Sequence, residues 1–209
     1  MAMPTEPVAI AILAKAPIPG LAKTRLMPAL GAHGAAMLQE ALTARAVETA
    51  IAAQIGPVTL WATPDATHPS FRELAVKSQI AVKRQPDGDL GARMLAACEA
   101  ASGPVLVIGT DCPLLSPAHL QEAAKTLRDG NDGVVIPAED GGYVLIGMRR
   151  PQPSLFEAIP WSTGVVMAET RKRAAGAKLC CRELATLWDI DRPDDLERLR
   201  GDPAFARFF

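Results

Sequence analysis

Short apolar runs of strand length alternate along this chain with longer, alanine-rich segments of helical spacing, and this alternation restricts the fold more than any other feature. Strands are expected at residues 8–14, 58–63, 81–85, 105–110, 133–137, 143–148 and 178–182. Between them, 32–55 reads as a long helix with Leu38, Leu42 and Ala46 on one face, and 90–101 and 117–128 as shorter helices. Strands joined through helices form crossover units around a mainly parallel sheet. The runs at 133–137 and 143–148 stand too close for a crossover helix, so the sheet is expected to become mixed there. Ser116-Pro117 supplies a cap and a proline at the first helical position. A last helix is expected near 191–195, with Asp191 as its cap.

With 209 residues, one α/β domain over 1–209 is expected. A hydrophobic fraction of 49% with 22% charged residues suits a soluble globular protein. A formal net charge of -1 offers no basic field for nucleic acid. The N-terminal stretch MAMPTEPVAIAILAKAP lacks a basic leader, and its apolar run is too short to span a membrane. No membrane partner or targeting segment is therefore expected, and the cytoplasm is the default location. Cys98, Cys112, Cys180 and Cys181 show no C-x-x-C spacing, so neither a zinc site nor a disulfide framework is signalled. The aromatic tail FARFF is expected to dock on the body of the protein, and monomer and homodimer are both open.

Chemistry gathers where the first strand ends. In AKAPIPGLAKTRL, Lys15, Lys23 and Arg25 cluster around Pro17, Pro19 and Gly20. A loop leaving the carboxyl end of a sheet strand is a usual phosphate-contacting position. The cations suit one anion, Gly20 permits close backbone approach, and the prolines stiffen the loop. A solvated basic loop is the alternative. The pattern is not a P-loop, because Ala22 rather than glycine precedes Lys23-Thr24.

VLVIGTDCPLL ends a buried strand on Asp111, a carboxylate that needs a cation or a turn to cap. It could hold Mg²⁺ or Mn²⁺ whose remaining shell comes from a diphosphate and water. Cys112 is a weaker candidate, since no histidine is placed to activate it. LWDIDRPDDL offers Asp189 as a second ligand, or both Asp189 and Asp191 as helix-entry residues. In PAEDGGYVLIG, Glu139 or Asp140 could act as general base or ligand, while Gly141, Gly142 and Tyr143 leave a surface on which substrate can lie; a tight turn with solvated acids is the alternative. Trp161, Ser162 and Thr163 combine an indole with hydroxyls ahead of a helix, suited to a sugar or to a core tryptophan beside a cap. QPDGDLGARM brings Gly88, Leu90 and Gly91 to a strand-to-helix junction where backbone N–H groups suit a nucleotide.

Together AKAPIPGLAKTRL, GDLGARM, GTDCPLL, PAEDGGYVLIG, PWST and WDIDRPDDL resemble, in order and spacing, the radical-SAM/selenodomain-associated transferases. These are similar to the molybdenum-cofactor and phospholactate guanylyltransferases. The resemblance implies a Rossmann-like nucleotide-diphospho-sugar transferase (GT-A) fold with a nucleotide donor and a divalent metal. It implies Asp111 and Asp189 as metal ligands and Lys15, Lys23 and Arg25 as the phosphate loop. Pro113 stands where a D-x-D motif would have its second acid, which throws weight onto Asp189. The expected activity is metal-dependent glycosyl transfer from a nucleotide-sugar to a small acceptor, with Asp140 as base and Lys23 and Arg25 assisting the leaving group. The alternative is nucleotidyl transfer to a phosphorylated small molecule with release of pyrophosphate. A nucleotide-binding protein without catalysis is a third reading.

Overall fold

The computed structural model describes residues 6–209; residues 1–5, the start of the stretch read for targeting and of the expected 1–209 domain, lie outside the described residues. Seven strands form one sheet: β1 (Ala9–Lys15), β2 (Val58–Thr63), β3 (Ala81–Arg84), β4 (Val105–Ile108), β5 (Gly133–Pro137), β6 (Tyr143–Met148) and β7 (Cys181–Glu183). Their order is β3-β2-β1-β4-β6-β5-β7. β6 runs antiparallel to both β4 and β5, and the remaining pairs are parallel, so the sheet is mixed where the short 138–142 connection demands it.

The described residues form six α-helices: α1 (Met27–Ala53), α2 (Pro69–Ser78), α3 (Leu90–Glu99), α4 (Pro117–Arg128), α5 (Val166–Gly176) and α6 (Asp195–Leu199). Side chains alternate across β1, sending Ile10, Ile12 and Ala14 to a core shared with α1, α2 and α4. Ala11 faces the opposite core, with Met94 and Cys98 of α3 and Met167 of α5. A third cluster joins Leu26, Leu38 and Leu42 to Trp188, Ile190, Leu196, Leu199 and Phe205. Phe205 is 1% exposed, so the FARFF tail docks on the body through this residue.

Several boundaries differ from expectation. The first long helix starts at Met27 rather than 32, and Gly31, at φ 68 and ψ 171, breaks it into two pieces. β4 stops at Ile108 before Gly109, and β7 begins only at Cys181, after Lys178 takes φ 55. α2 was not expected; it turns Phe71 and the half-buried Leu74 to the core, a short i, i+3 stripe. Asp191 does not cap the last helix. Asp195 accepts from the Asp191 and Arg192 backbone N–H groups at 3.0 and 2.7 Å, and the Asp191 carboxylate pairs with Arg25 instead.

Candidate active site

A cleft of about 600 Å³ opens at the carboxyl ends of β1 and β4. Its polar wall carries Lys15, Lys23, Arg25, Asp111, Asp189 and Asp191. Asp140, Gly142, Tyr143, Trp161, Ser162, Thr163 and Leu90 line it as well. Gly20, Gly88, Gly91 and Gly141 do not line it.

The loop after β1 is folded so that its cations reach different partners. Lys23 adopts φ 47, a left-handed conformation rare for a non-glycine residue. Its side chain is 5% exposed, sits 2.9 Å from Asp111 and donates to the Ile190 carbonyl. Arg25 pairs with Asp191. Among the described residues, Lys15 alone of the three cations has no carboxylate partner. The three cations thus do not share one partner in the structure: Lys23 holds Asp111 and Arg25 holds Asp191.

Asp111 is fixed from below by residues that sequence reading missed. Buried Gln39 of α1 donates to the Thr110 hydroxyl at 3.0 Å, and Thr110 donates to Asp111 Oδ1 at 3.1 Å. Its one signal was the polar pair Gln39 and Thr43, one helical turn apart, among the alanines and leucines of the buried α1 face. The Ile190 N–H donates to the Asp111 carbonyl at 2.8 Å, which draws the late segment against the β4 loop.

Burial pushes the Asp189 carboxyl up to about 6, and the nearby Asp140 and Asp111 carboxylates push the same way against Lys23. Among the described residues no three His, Cys, Asp or Glu side chains gather closely enough to hold a metal alone. The donor set therefore fits a hard divalent ion held by one or two carboxylates and completed by phosphate oxygens and water. Burial pushes the Cys112 thiol up to about 12, the reverse of what a nucleophile needs.

The EDGG turn is held from two sides. Asp140 Oδ1 accepts from the Gly142 N–H at 2.9 Å, and the Met167 N–H donates to the Gly141 carbonyl at 2.8 Å. Gly141 has φ +90, and a Cβ there would lie 2.1 Å from the Gly164 carbonyl oxygen, so only glycine fits. Glu139 is engaged elsewhere, paired through both oxygens with Arg198, which holds its carboxyl below the usual range. That leaves Asp140 as the carboxylate of this turn in the cleft.

On the apolar side, burial pushes the Tyr143 phenol well up; its hydroxyl donates to Met94 Sδ at 3.7 Å, and its ring meets Trp161 edge-on at 6.4 Å. Thr163 donates to the Pro160 carbonyl at 2.6 Å, so toward a ligand its hydroxyl serves as an acceptor. Ser162 takes φ 62. The Trp161 indole N–H is buried without a protein partner. Gly91 acts by packing: a Cβ there would lie 2.3 Å from the Phe156 carbonyl and 2.8 Å from the Trp161 ring.

Residues 46–163 match the model of a bacterial family described as an uncharacterized conserved protein, DUF2064. The chain belongs to the DUF2064 family. The DUF2064 match contains Asp111, Asp140, Tyr143 and Trp161, whereas the cationic loop and Asp189 enter the cleft from outside it. A phosphoenolpyruvate guanylyltransferase of Rubrobacter xylanophilus is 30% identical over 107 residues, which span 50% of this chain and 51% of that protein. The match thus spans about half the length of this curated relative.

A solved structure from Desulfovibrio desulfuricans G20, described as a nucleotide-diphospho-sugar transferase, superposes with a TM-score of 0.82 at 28% identity, covering 96% of this chain and 90% of that one. The glucosyl-3-phosphoglycerate synthase of Mycobacterium tuberculosis, solved with Mn²⁺ and UDP, shares the fold at TM-score 0.58 and 12% identity, covering 96% and 77% of the two chains. The fold is that of the nucleotide-diphospho-sugar transferases. Among the described residues no helix is long and apolar enough to cross a membrane.

Proposed function

We propose that this protein is a metal-dependent nucleotidyltransferase, joining a nucleoside monophosphate from a triphosphate donor to a phosphorylated small molecule. The observation that carries it is the convergence of Asp111, Asp189 and the unpaired Lys15 in one cleft at the carboxyl edge of β1 and β4. A single domain over 1–209, acting in the cytoplasm without nucleic-acid or membrane partners, belongs to the same proposal; so does a link to radical-SAM proteins.

A phosphate oxygen of the acceptor attacks the donor's α-phosphorus, the bond to the β-phosphate oxygen breaks, and pyrophosphate leaves carrying the released charge. Lys15 meets that charge, and Lys23 and Arg25 keep Asp111 and Asp191 in place. Mg²⁺ or Mn²⁺ held by Asp111 and Asp189 would supply further charge neutralisation. Because the attacking phosphate is already ionised, no protein base is required. The similarity to a guanylyltransferase supports this order of preference over glycosyl transfer, and its name supplies the first pair to test, GTP with phosphoenolpyruvate.

Glycosyl transfer is the second reading, favoured by the Asp140 carboxylate beside Trp161, Ser162 and Thr163. There Asp140 takes the proton of an acceptor hydroxyl and a nucleoside diphosphate departs. An Asp140→Asn variant separates the two. Nucleotidyl transfer, read as pyrophosphate release, keeps turnover within about tenfold, whereas loss of a general base costs about 10²–10⁴-fold. Release of nucleoside diphosphate from a nucleotide-sugar, abolished in Asp140→Asn, establishes the second reading; metal-independent turnover with any donor removes both.

A further inference from the structure

Two acids that line the cleft, Asp140 and Asp189, are preceded in sequence by two residues that a single side chain joins. Arg198 of α6 donates to both Glu139 oxygens, at 2.8 and 3.1 Å, and its guanidinium lies 4.3 Å from the Trp188 ring centroid. Glu139 precedes Asp140, and Trp188 precedes Asp189. The segments already share backbone bonds, from the Leu187 N–H to the Pro137 carbonyl and from the Glu139 N–H to the Leu187 carbonyl, both 3.0 Å. Asp140 and Asp189 follow directly on this short ladder, and Arg198 bridges the two residues that precede them.

The pair is exposed, with 42% of the Arg198 side chain and 55% of Glu139 accessible. Exposed ion pairs of this kind add little to stability. A planar fork that also stacks on an indole does fix two backbones against each other. We propose that Arg198 is a positioning residue, tying Glu139 to Trp188 and so setting the spacing of Asp140 and Asp189 for a divalent cation. This rests on the metal-dependent reading above, but it concerns binding geometry whichever transfer follows.

Charge alone and geometry predict opposite signs. Removing the Arg198 cation should tighten cation binding if only the local field matters, and weaken it if Arg198 sets the carboxylate spacing. Tb³⁺ is a suitable probe, being a hard oxygen-seeking ion whose emission is sensitised by a nearby indole such as Trp188 or Trp161. In the full-length protein, saturable Tb³⁺ emission should disappear in Asp189→Asn. Arg198→Ala and Glu139→Ala should each weaken Tb³⁺ roughly tenfold, the scale of lost outer-sphere support at metal sites. The double variant should be no weaker than either single one, and unfolding midpoints should stay near wild type.

Arg198→Lys keeps the charge but loses the fork, so it should fall between wild type and Arg198→Ala. It also decides the matter if the alanine variant does not fold, since wild-type affinity in Arg198→Lys overturns the proposal. Unchanged or tighter binding in a folded Arg198→Ala overturns it equally. Wild-type emission that is absent or indifferent to Asp189→Asn overturns the metal reading, and this inference with it.

Discussion

At the scale of single residues, Asp189 carries an electrostatic cost in the folded state. Its carboxyl is moved from the ordinary 3.8 to about 6 because burial and two neighbouring acids disfavour its charge. The native state thus holds a proton that the unfolded chain has already lost between these values, so stability falls as pH rises through this window. The full shift corresponds to roughly 3 kcal/mol, and screening of a part-exposed group reduces the expectation to about 1 kcal/mol. Asp189→Asn, unfolded in urea with EDTA present, should therefore be more stable than wild type by about 1 kcal/mol at pH 7.5, with the gain vanishing near pH 4. The same variant should lose metal-dependent nucleotide binding. A gain that persists at pH 4 would show that ionisation of Asp189 is not its source.

At the scale of elements, glycines at packing points decide how the walls of the cleft meet. In α3, Gly91 touches the loop that carries Trp161, where a Cβ would lie 2.3 Å from backbone, while at the end of α5 a Cβ on Gly176 would meet nothing within 4 Å. Gly91→Ala should cost about 1–3 kcal/mol and displace the Trp161 wall, weakening ligand binding. Gly176→Ala should be neutral or stabilise by up to about 1 kcal/mol, and urea midpoints of the two variants check the opposite signs.

The strands were legible because each is an apolar run bounded by turn residues, and Asp111, Asp140 and Asp189 were legible because a carboxylate at a strand end or tight turn is conspicuous. α2 was not, since its apolar stripe amounts to Phe71 and the half-buried Leu74 within ten residues. Nor were the partners of Arg25 and Glu139, because Asp191 lies 166 residues from Arg25 and Arg198 lies 59 from Glu139. Such pairings arise only once the third cluster has drawn the late segment against the β1 loop. Local spacing showed that charge was present, while tertiary packing decided which charges remained available.

At the scale of the molecule, the cleft is assembled from distant parts of the chain: the β1 loop, the β4 loop, the EDGG turn, the Trp161 loop and the Asp189 segment. A ligand that touches all of them binds the folded state alone, so its binding energy appears as global stability. At a hundred times its dissociation constant such a ligand adds about 2.7 kcal/mol. For a chain of 150–250 residues, 1 kcal/mol moves the melting temperature by about 2–4 °C. The true donor with Mg²⁺ or Mn²⁺ should thus raise the midpoint by about 5–10 °C. A screen of nucleoside triphosphates beside the matching nucleotide-sugars, each with metal and with EDTA, identifies the donor. A shift with one triphosphate and not with its sugar conjugate supports nucleotidyl transfer, and the reverse supports glycosyl transfer. On the proposed reading a metal on Asp111 and Asp189 would couple them to the donor's phosphates, so in either case EDTA and Asp189→Asn should abolish the shift; a full shift surviving both would remove these acids from donor binding and leave Lys15 as the phosphate's principal contact.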